Sequence, residues 1–219
     1  MIKPATFDFL KKLKNNNNKE WFDVNRPQYE KIKIEFQLFI TELIQSISTF
    51  DASIKQLEAK NCVFRINRDV RFSKNKTPYK SNISASIAPG GKKSSAAGYY
   101  IHLQPGASYI AGGMWQPETP LIKAIRQEID YNAVEFKNII NNKAFKKYFT
   151  KLSEQDKLIS VPKGYSKEHP EIELLKHRSF IVVHSLADEK VFAKNVVKTV
   201  TQICENIYPL DKFLRKACD

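Results

Sequence analysis

The chain has 219 residues, of which 42% are hydrophobic and 27% are charged. These values exclude wholesale disorder, because a chain of this length and hydrophobicity can bury a core without disulfide bonds. Thirty-six Lys and Arg residues outnumber 23 Asp and Glu residues, which gives a formal net charge of +13. Such a charge attracts polyanions, while a biased coding composition rich in Lys, Asn and Ile is the alternative explanation for part of the excess.

Cysteine usage and the N-terminus indicate the compartment. Cys62, Cys204 and Cys218 are odd in number and show no C-x-x-C spacing. This disfavours a disulfide framework or a Cys-rich zinc site and indicates a reducing interior. The first residues lack an apolar run of secretory length, and no run of about 18 apolar residues follows. The sequence therefore predicts a cytoplasmic protein with no membrane partner.

The N-terminal part of the chain shows helical periodicity. Thr6 predicts the cap of a short helix, and the asparagine run Asn15–Asn18 predicts a break after it. A second short helix is predicted over residues 19–25. Pro27 is expected to begin a long amphipathic helix, because proline fits the first helical position.

The middle of the chain alternates apolar and polar residues with a period of two, which predicts strands. Four consecutive strands are predicted, over residues 62–72, 82–88, 98–104 and 108–115. Their short connections favour an antiparallel meander. Tyr99 and Tyr109 are assigned to its apolar face, and Gly112 with Gly113 indicates a bulge or the close approach of a ligand.

After the sheet the chain returns to helical periodicity. Helices are predicted from Thr119 onward and over residues 131–141, 143–152 and 172–177, and residues 179–184 predict one more, buried strand. Ser185 with Asp188 forms a capping-box pattern before the last long helix, which Pro209 is expected to break. We therefore predict one α+β domain over residues 1–219, an antiparallel β-meander with one face covered by N- and C-terminal helices.

A family resemblance accompanies this pattern. The string from Phe64 to Ser73, FRINRDVRFS, and the string Lys76–Lys80, KTPYK, closely resemble a conserved family of unknown function, number 2461. Further similar stretches are residues 9–10, 20–22, 98–103, 112–115, 162–165 and 169–170, so that the resemblance covers nearly the whole chain. The resemblance implies a cytoplasmic domain of α and β structure and supplies no catalytic residues.

The opposite, polar face of the predicted sheet is where we expect a ligand. Arginine guanidinium and lysine ammonium groups would bind phosphate or carboxylate groups. The small serine side chains would leave space for the ligand. The connection from Ser73 to Lys80 would close over this face. The predicted ligand-binding residues are Arg65, Asn67, Arg71, Lys76, Lys80, Ser84, Ser86, Tyr100 and His102. The structural alternative is that Asp69 pairs with a neighbouring arginine on a solvated sheet face.

Catalysis is less well indicated than binding. His102 is the best candidate for general acid or base chemistry, with Tyr100 and Asp69 as further candidates, although a single strand histidine is more often structural. No metal is predicted, because His169, His177 and His184 lack ligand spacing, and no cofactor is predicted.

Three functions compete at this point. The first is binding of a small anionic ligand on the polar sheet face, with or without an enzymatic reaction. The second is a nucleic-acid-binding module that uses the overall positive charge, and whose binding would weaken steeply with salt. The third is a protein-interaction role in which the polar face meets an acidic partner.

Overall fold

A computed structural model of the protein describes residues 2–218 and contains a four-stranded antiparallel sheet with the order β1-β2-β3-β4. The strands are β1 (Ile83–Ile87), β2 (Gly98–Leu103), β3 (Ser108–Met114) and β4 (Phe180–Leu186). The strands predicted over residues 82–88, 98–104, 108–115 and 179–184 are confirmed. The predicted α+β class is confirmed as well.

Helices precede β1, connect β3 to β4 and follow β4. They are α1 (Pro4–Asn15), α2 (Lys19–Ile47), α3 (Ala59–Cys62), α4 (Thr119–Tyr131), α5 (Ala133–Asn141), α6 (Lys143–Tyr148), α7 (Ile172–Leu175), α8 (Asp188–Val191) and α9 (Val196–Lys216). Over residues 2–218, none of these helices has the length and hydrophobicity needed to cross a membrane.

The core lies between the apolar face of the sheet and the two long helices, α2 and α9. Tyr99 and Ile110 from the sheet, Phe39 from α2 and Ile207 from α9 are all fully buried. A Cβ atom at Gly112 would lie 2.2 Å from Cγ2 of Ile207. The glycine therefore allows α9, rather than the ligand that the sequence suggested, to approach β3 closely.

Two predicted helix breaks are wrong, because α2 continues through Pro27 and α9 continues through Pro209. Proline removes the donor for the carbonyl four residues earlier and disfavours a helix interior. Packing outweighs this cost in α2. Phe22 precedes Pro27 in the sequence and Tyr29 follows it, and their rings pack with centroids 5.2 Å apart. In α9, buried side chains continue on both sides of Pro209, through Ile207 and Leu210.

The strand predicted over residues 62–72 is wrong. Only isolated bridges form there, between Val63 and Ala85 and between Asn67 and Tyr79. Residues 68–78 form a projecting connection that we call the basic loop, closed by the bond from the Arg68 amide to the Pro78 carbonyl at 2.8 Å. Polar side chains of the loop form hydrogen bonds within the loop. The residues alternate as they would in a strand, but no neighbouring strand is there to pair with them. The fourth strand of the sheet is instead β4, which joins β3.

Two predicted helix caps are also wrong. Helix α1 begins at Pro4, and Thr6 is buried within its first turn. Ser185 lies in β4 rather than at a helix cap. The carboxylate of Asp188 accepts from the amide of Gly106 at 2.9 Å, so that it joins α8 to the turn between β2 and β3.

Candidate functional site

The outer face of the sheet, turned away from α9, carries two rows of side chains set by the strand register. The first row is Ser84, His102, Tyr109 and Ser185, and the second is Ser86, Tyr100, Ala111 and Val183. The predicted placement of Ser84, Ser86, Tyr100 and His102 on one face is therefore confirmed.

Tyr109 belongs to this outer face, and its assignment to the apolar face is wrong. Ile110 is fully buried on the inner face, and side chains alternate along a strand, so Tyr109 must point outward. The register places it opposite His102. The sequence contained this signal, because isoleucine is the more apolar of the two neighbouring residues.

Four rings form a contiguous surface that we call the aromatic patch: Phe64, Tyr100, His102 and Tyr109. The rings of His102 and Tyr109 stack with centroids 4.5 Å apart and planes inclined by 13°. Tyr100 lies 5.9 Å from Tyr109, and Phe64 lies 6.1 Å from Tyr100. All four residues are partly exposed, so planar groups from solvent can reach the patch.

The contacts of His102 favour a neutral ring. Nε2 lies 3.1 Å from Oε1 of Gln104, and the Tyr100 hydroxyl lies 3.5 Å from Nδ1. Burial lowers the pKa of His102, and the bond to Gln104 offsets this only in part. At neutral pH the ring therefore donates from Nε2 and accepts at Nδ1. The proposed acid-base role of His102, Tyr100 or Asp69 stays a prediction.

A basic crevice opens beside β1, at the edge of the sheet. Its walls include Lys33, Phe64, Arg65, Lys80, Asn82 and Ser84. Its enclosed volume is about 10 Å³, which is the room that one water molecule requires. One ligand oxygen can enter, whereas the rest of a ligand must lie outside on the sheet face.

Arg65 and Lys80 are neighbouring cations, and Asp69 lies near enough to Arg65 for the arginine to lower the pKa of that carboxyl. Burial and the charge of Arg65 lower the pKa of Lys80, whose ammonium lies 5.4 Å from the centre of the Phe64 ring. Within residues 2–218, neither cation forms an ion pair with a carboxylate. Lys33, by contrast, lies 3.2 Å from Glu30. An anion placed between Arg65 and Lys80 would relieve their repulsion.

The remaining predicted residues do not lie on the sheet face. Nε and Nη2 of Arg71 donate to the two carboxylate oxygens of Asp69, at 3.0 and 2.7 Å, in the exposed basic loop. Lys76 donates to the Val70 carbonyl at 3.0 Å. The expected grouping of Asn67, Asp69 and Arg71 with His102 is wrong, because no strand continues beyond this point. The alternative that Asp69 pairs with a neighbouring arginine is confirmed for the pair, which lies in an exposed loop rather than on a sheet face.

Asn17 positions the crevice, and the sequence reasoning missed it. Its side chain donates to the Tyr79 carbonyl at 2.9 Å and accepts from the Tyr79 amide at 3.0 Å. The Tyr79 ring stacks on Phe22 with centroids 4.0 Å apart. These contacts fix the backbone beside Lys80. Nothing local to the asparagine run indicated a contact 62 residues away.

A second polar cluster lies inside the core, away from the outer face. Arg215 bonds to both carboxylate oxygens of Asp51 at 3.0 Å, and the Tyr99 hydroxyl donates to Asp51 at 2.9 Å. Burial acts to raise the pKa of Asp51, but the bonds from Arg215 and its neighbours outweigh burial and leave the pKa lowered.

Asp211 shares this cluster, and the backbone amide of Gly113 acts to lower its pKa. Both of its carboxylate oxygens are buried without a hydrogen bond of normal geometry within residues 2–218, and the nearest guanidinium nitrogen of Arg215 lies 3.9 Å away. Burial raises the pKa of Asp211 to about 7. The sequence reasoning did not identify Asp51, Asp211 or Arg215 as a group.

The three other histidines have separate partners. His169 lies 2.8 Å from Asp130, His177 contacts the Ser153 carbonyl, and His184 contacts the Tyr148 carbonyl. In the described part of the chain, no three His, Cys, Asp or Glu side chains are arranged to hold a metal ion.

Comparison with known proteins gave one family. A family model described as a conserved hypothetical protein matches residues 5–213, nearly the whole chain. Neither the curated proteins nor the solved structures that were compared gave a match. The family match confirms the resemblance and assigns no role to any residue.

Proposed function

The chain belongs to the DUF2461 family of conserved hypothetical proteins, and we propose that it binds a phosphate-bearing ligand with a planar ring on the outer face of its sheet. The phosphate binds Arg65 and Lys80 at the mouth of the basic crevice. The ring stacks on the aromatic patch next to it. A carboxylate in place of the phosphate would meet the same two cations.

The observation that supports this most is the pair of neighbouring cations, neither of which forms an ion pair with a carboxylate within residues 2–218. Lys80 is partly buried and Arg65 is exposed, and the repulsion between the two charges falls when an anion lies between them. The planar guanidinium of Arg65 can bond two phosphate oxygens, and the ammonium of Lys80 can reach a third. Ser84 and Asn82 add neutral polar groups to the same walls.

The aromatic patch adds affinity for a flat ring. Phe64 touches both features, because it packs near Tyr100 and also lies beneath the Lys80 ammonium. A base stacked on an aromatic side chain contributes about 1 to 3 kcal/mol in single-strand binders. The face is open, so the ligand lies on the sheet and keeps much of its surface in water.

Calorimetric titration tests the proposal with AMP, adenosine and inorganic phosphate. We expect AMP to bind more tightly than either part, because it engages both the cations and the patch. Arg65→Gln and Lys80→Gln should each weaken AMP binding by about tenfold, since each removes a charge-assisted contact. Tyr100→Leu should weaken AMP and adenosine but leave phosphate binding unchanged.

Arg178→Gln is the matched control, because it removes one exposed positive charge away from the crevice. AMP binding that falls equally in this variant and in Arg65→Gln would indicate a general charge effect. That result, or the absence of binding to all three compounds, contradicts the proposal.

A second candidate, nucleic-acid binding, is supported by a different observation. Phe72 in the basic loop is 97% exposed, and the guanidinium of Arg71 lies 5.9 Å from the centre of its ring. Lys74 and Lys76 lie in the same loop. An exposed ring among cations is the combination with which single-strand binders stack bases and contact phosphates.

Fluorescence anisotropy with a single-stranded dT oligomer separates the two candidates. If the second holds, binding should weaken by about tenfold or more between roughly 50 and 200 mM salt, because neutralised phosphates release counterions. Phe72→Ala should further weaken binding of the oligomer and leave AMP binding unchanged. Absence of binding at low salt removes the second candidate and leaves the first intact.

A further inference from the structure

A groove separate from the outer sheet face lies between α5, the start of α6 and the middle of α9. Its volume is about 570 Å³, within the range of roughly 300 to 1,000 Å³ that small-molecule sites occupy. Val134, Ile139 and Phe145 provide apolar walls. Val134 is 69% exposed, so an apolar surface remains open to an occupant.

The charge of the groove is opposite to that of the protein. Although the chain holds 36 Lys and Arg residues, no basic side chain lines the groove within residues 2–218, whereas Glu135 and Glu205 do. Glu205 forms no ion pair in this part of the chain. Glu135 lies 3.8 Å from Lys216, whose ammonium is closer to Glu128 at 2.9 Å. Both carboxylates can therefore accept from a ligand.

Pro209 adds a third acceptor at the same wall. Proline has no amide hydrogen, so the carbonyl of Glu205, four residues earlier in α9, lacks its helical donor. Both residues line the groove. A carbonyl that lacks its helical donor can accept a hydrogen bond from a ligand.

From this combination we propose that the groove binds a small organic cation, a primary ammonium group on an apolar body. An ammonium carries three donors and no acceptor, which matches two carboxylates and one carbonyl. An aliphatic or aromatic body of the ligand packs on Val134, Ile139 and Phe145. This site is independent of the outer sheet face and of the ligand proposed there.

NMR or calorimetric titration with hexylamine tests the site, with 1-hexanol as the neutral analogue of the same length. We expect saturable binding of the amine, and binding of the alcohol weaker by about tenfold or more, because the alcohol lacks the charge. Glu205→Gln should weaken the amine by about tenfold for the same reason.

Pro209→Ala distinguishes the carbonyl from the carboxylates. It restores the amide donor for the Glu205 carbonyl. Helix α9 then becomes more stable, and the carbonyl is no longer available to a ligand. We expect a raised melting temperature together with weaker amine binding. A variant that has lost its fold could not show both changes.

Glu189→Gln, at an exposed glutamate of α8, is the matched control and should bind hexylamine as the wild type does. Equal binding of amine and alcohol overturns the proposal. So does equal weakening by Glu189→Gln and Glu205→Gln, or the absence of saturation with hexylamine. AMP titrations on the same samples report on the outer face separately.

Discussion

Two Asp–Arg pairs, each joined by two hydrogen bonds, lie in opposite environments. In the core, Arg215 holds both oxygens of Asp51, 164 residues away, and the Asp51 side chain is only 1% exposed. In the basic loop, Arg71 holds both oxygens of Asp69, two residues away, and the two side chains are 77% and 49% exposed. Both pairs are bidentate, but their surroundings differ.

This difference shows that contact geometry alone does not assign a role. Water screens the exposed pair, which is local and contributes little to stability. The buried pair ties the segment after α2 to the end of α9, where an unpaired charge would have no water to solvate it. Arg65 is a third case, an arginine that forms no ion pair with a carboxylate among residues 2–218, and it is the one that we place in a binding site.

The largest expected effect follows from breaking the buried pair. Arg215→Met should lower the free energy of unfolding by about 3 to 5 kcal/mol, because Asp51 is then left buried without its cation. Urea denaturation monitored by circular dichroism measures the change. A loss below about 1 kcal/mol would mean that the pair behaves like an exposed one.

A smaller, pH-dependent effect should come from Asp211, whose neighbours are Asp51, Tyr99, Cys204 and Arg215. Its folded-state pKa of about 7 exceeds the ordinary value of about 3.9. Its contribution to stability is therefore complete at low pH and is lost as the pH rises through about 7.

Asp211→Asn removes this titration, so the variant should gain stability relative to the wild type as the pH rises from about 5 to about 8. Asp51, with its lowered pKa, is ionised throughout this window. Denaturation midpoints at several pH values give the difference. A difference that does not change with pH would show that Asp211 does not retain its proton in the folded state.

The smallest effect is expected for the exposed pair. Arg71→Met is the counterpart of Arg215→Met, and it should leave the denaturation midpoint unchanged at low and at high salt, because Asp69 is already solvated. A clear loss of stability would show that the basic loop contributes to the fold. In that case the comparison between the two pairs would no longer separate them by burial.

Much of the outer face could be predicted from local sequence. The alternation in β1 and β2 decides which side chains point together, so the pattern alone places Ser84, Ser86, Tyr100 and His102 in one group. The same alternation is misleading over residues 62–72, because a strand also needs a neighbour to bond with. The sequence pattern does not show whether that neighbour is present.

The amino-acid sequence by itself determined the α+β class, four strands of the sheet, most of the helices and the family, since these depend on periodicity and on short motifs. Tertiary structure alone decided that Arg65 meets Lys80, that Asn17 holds Tyr79, and that Arg215 reaches Asp51. These contacts join residues far apart in the chain, and burial then sets their energies. The linear pattern of residues does not specify which distant side chains come close in space or which of them water reaches.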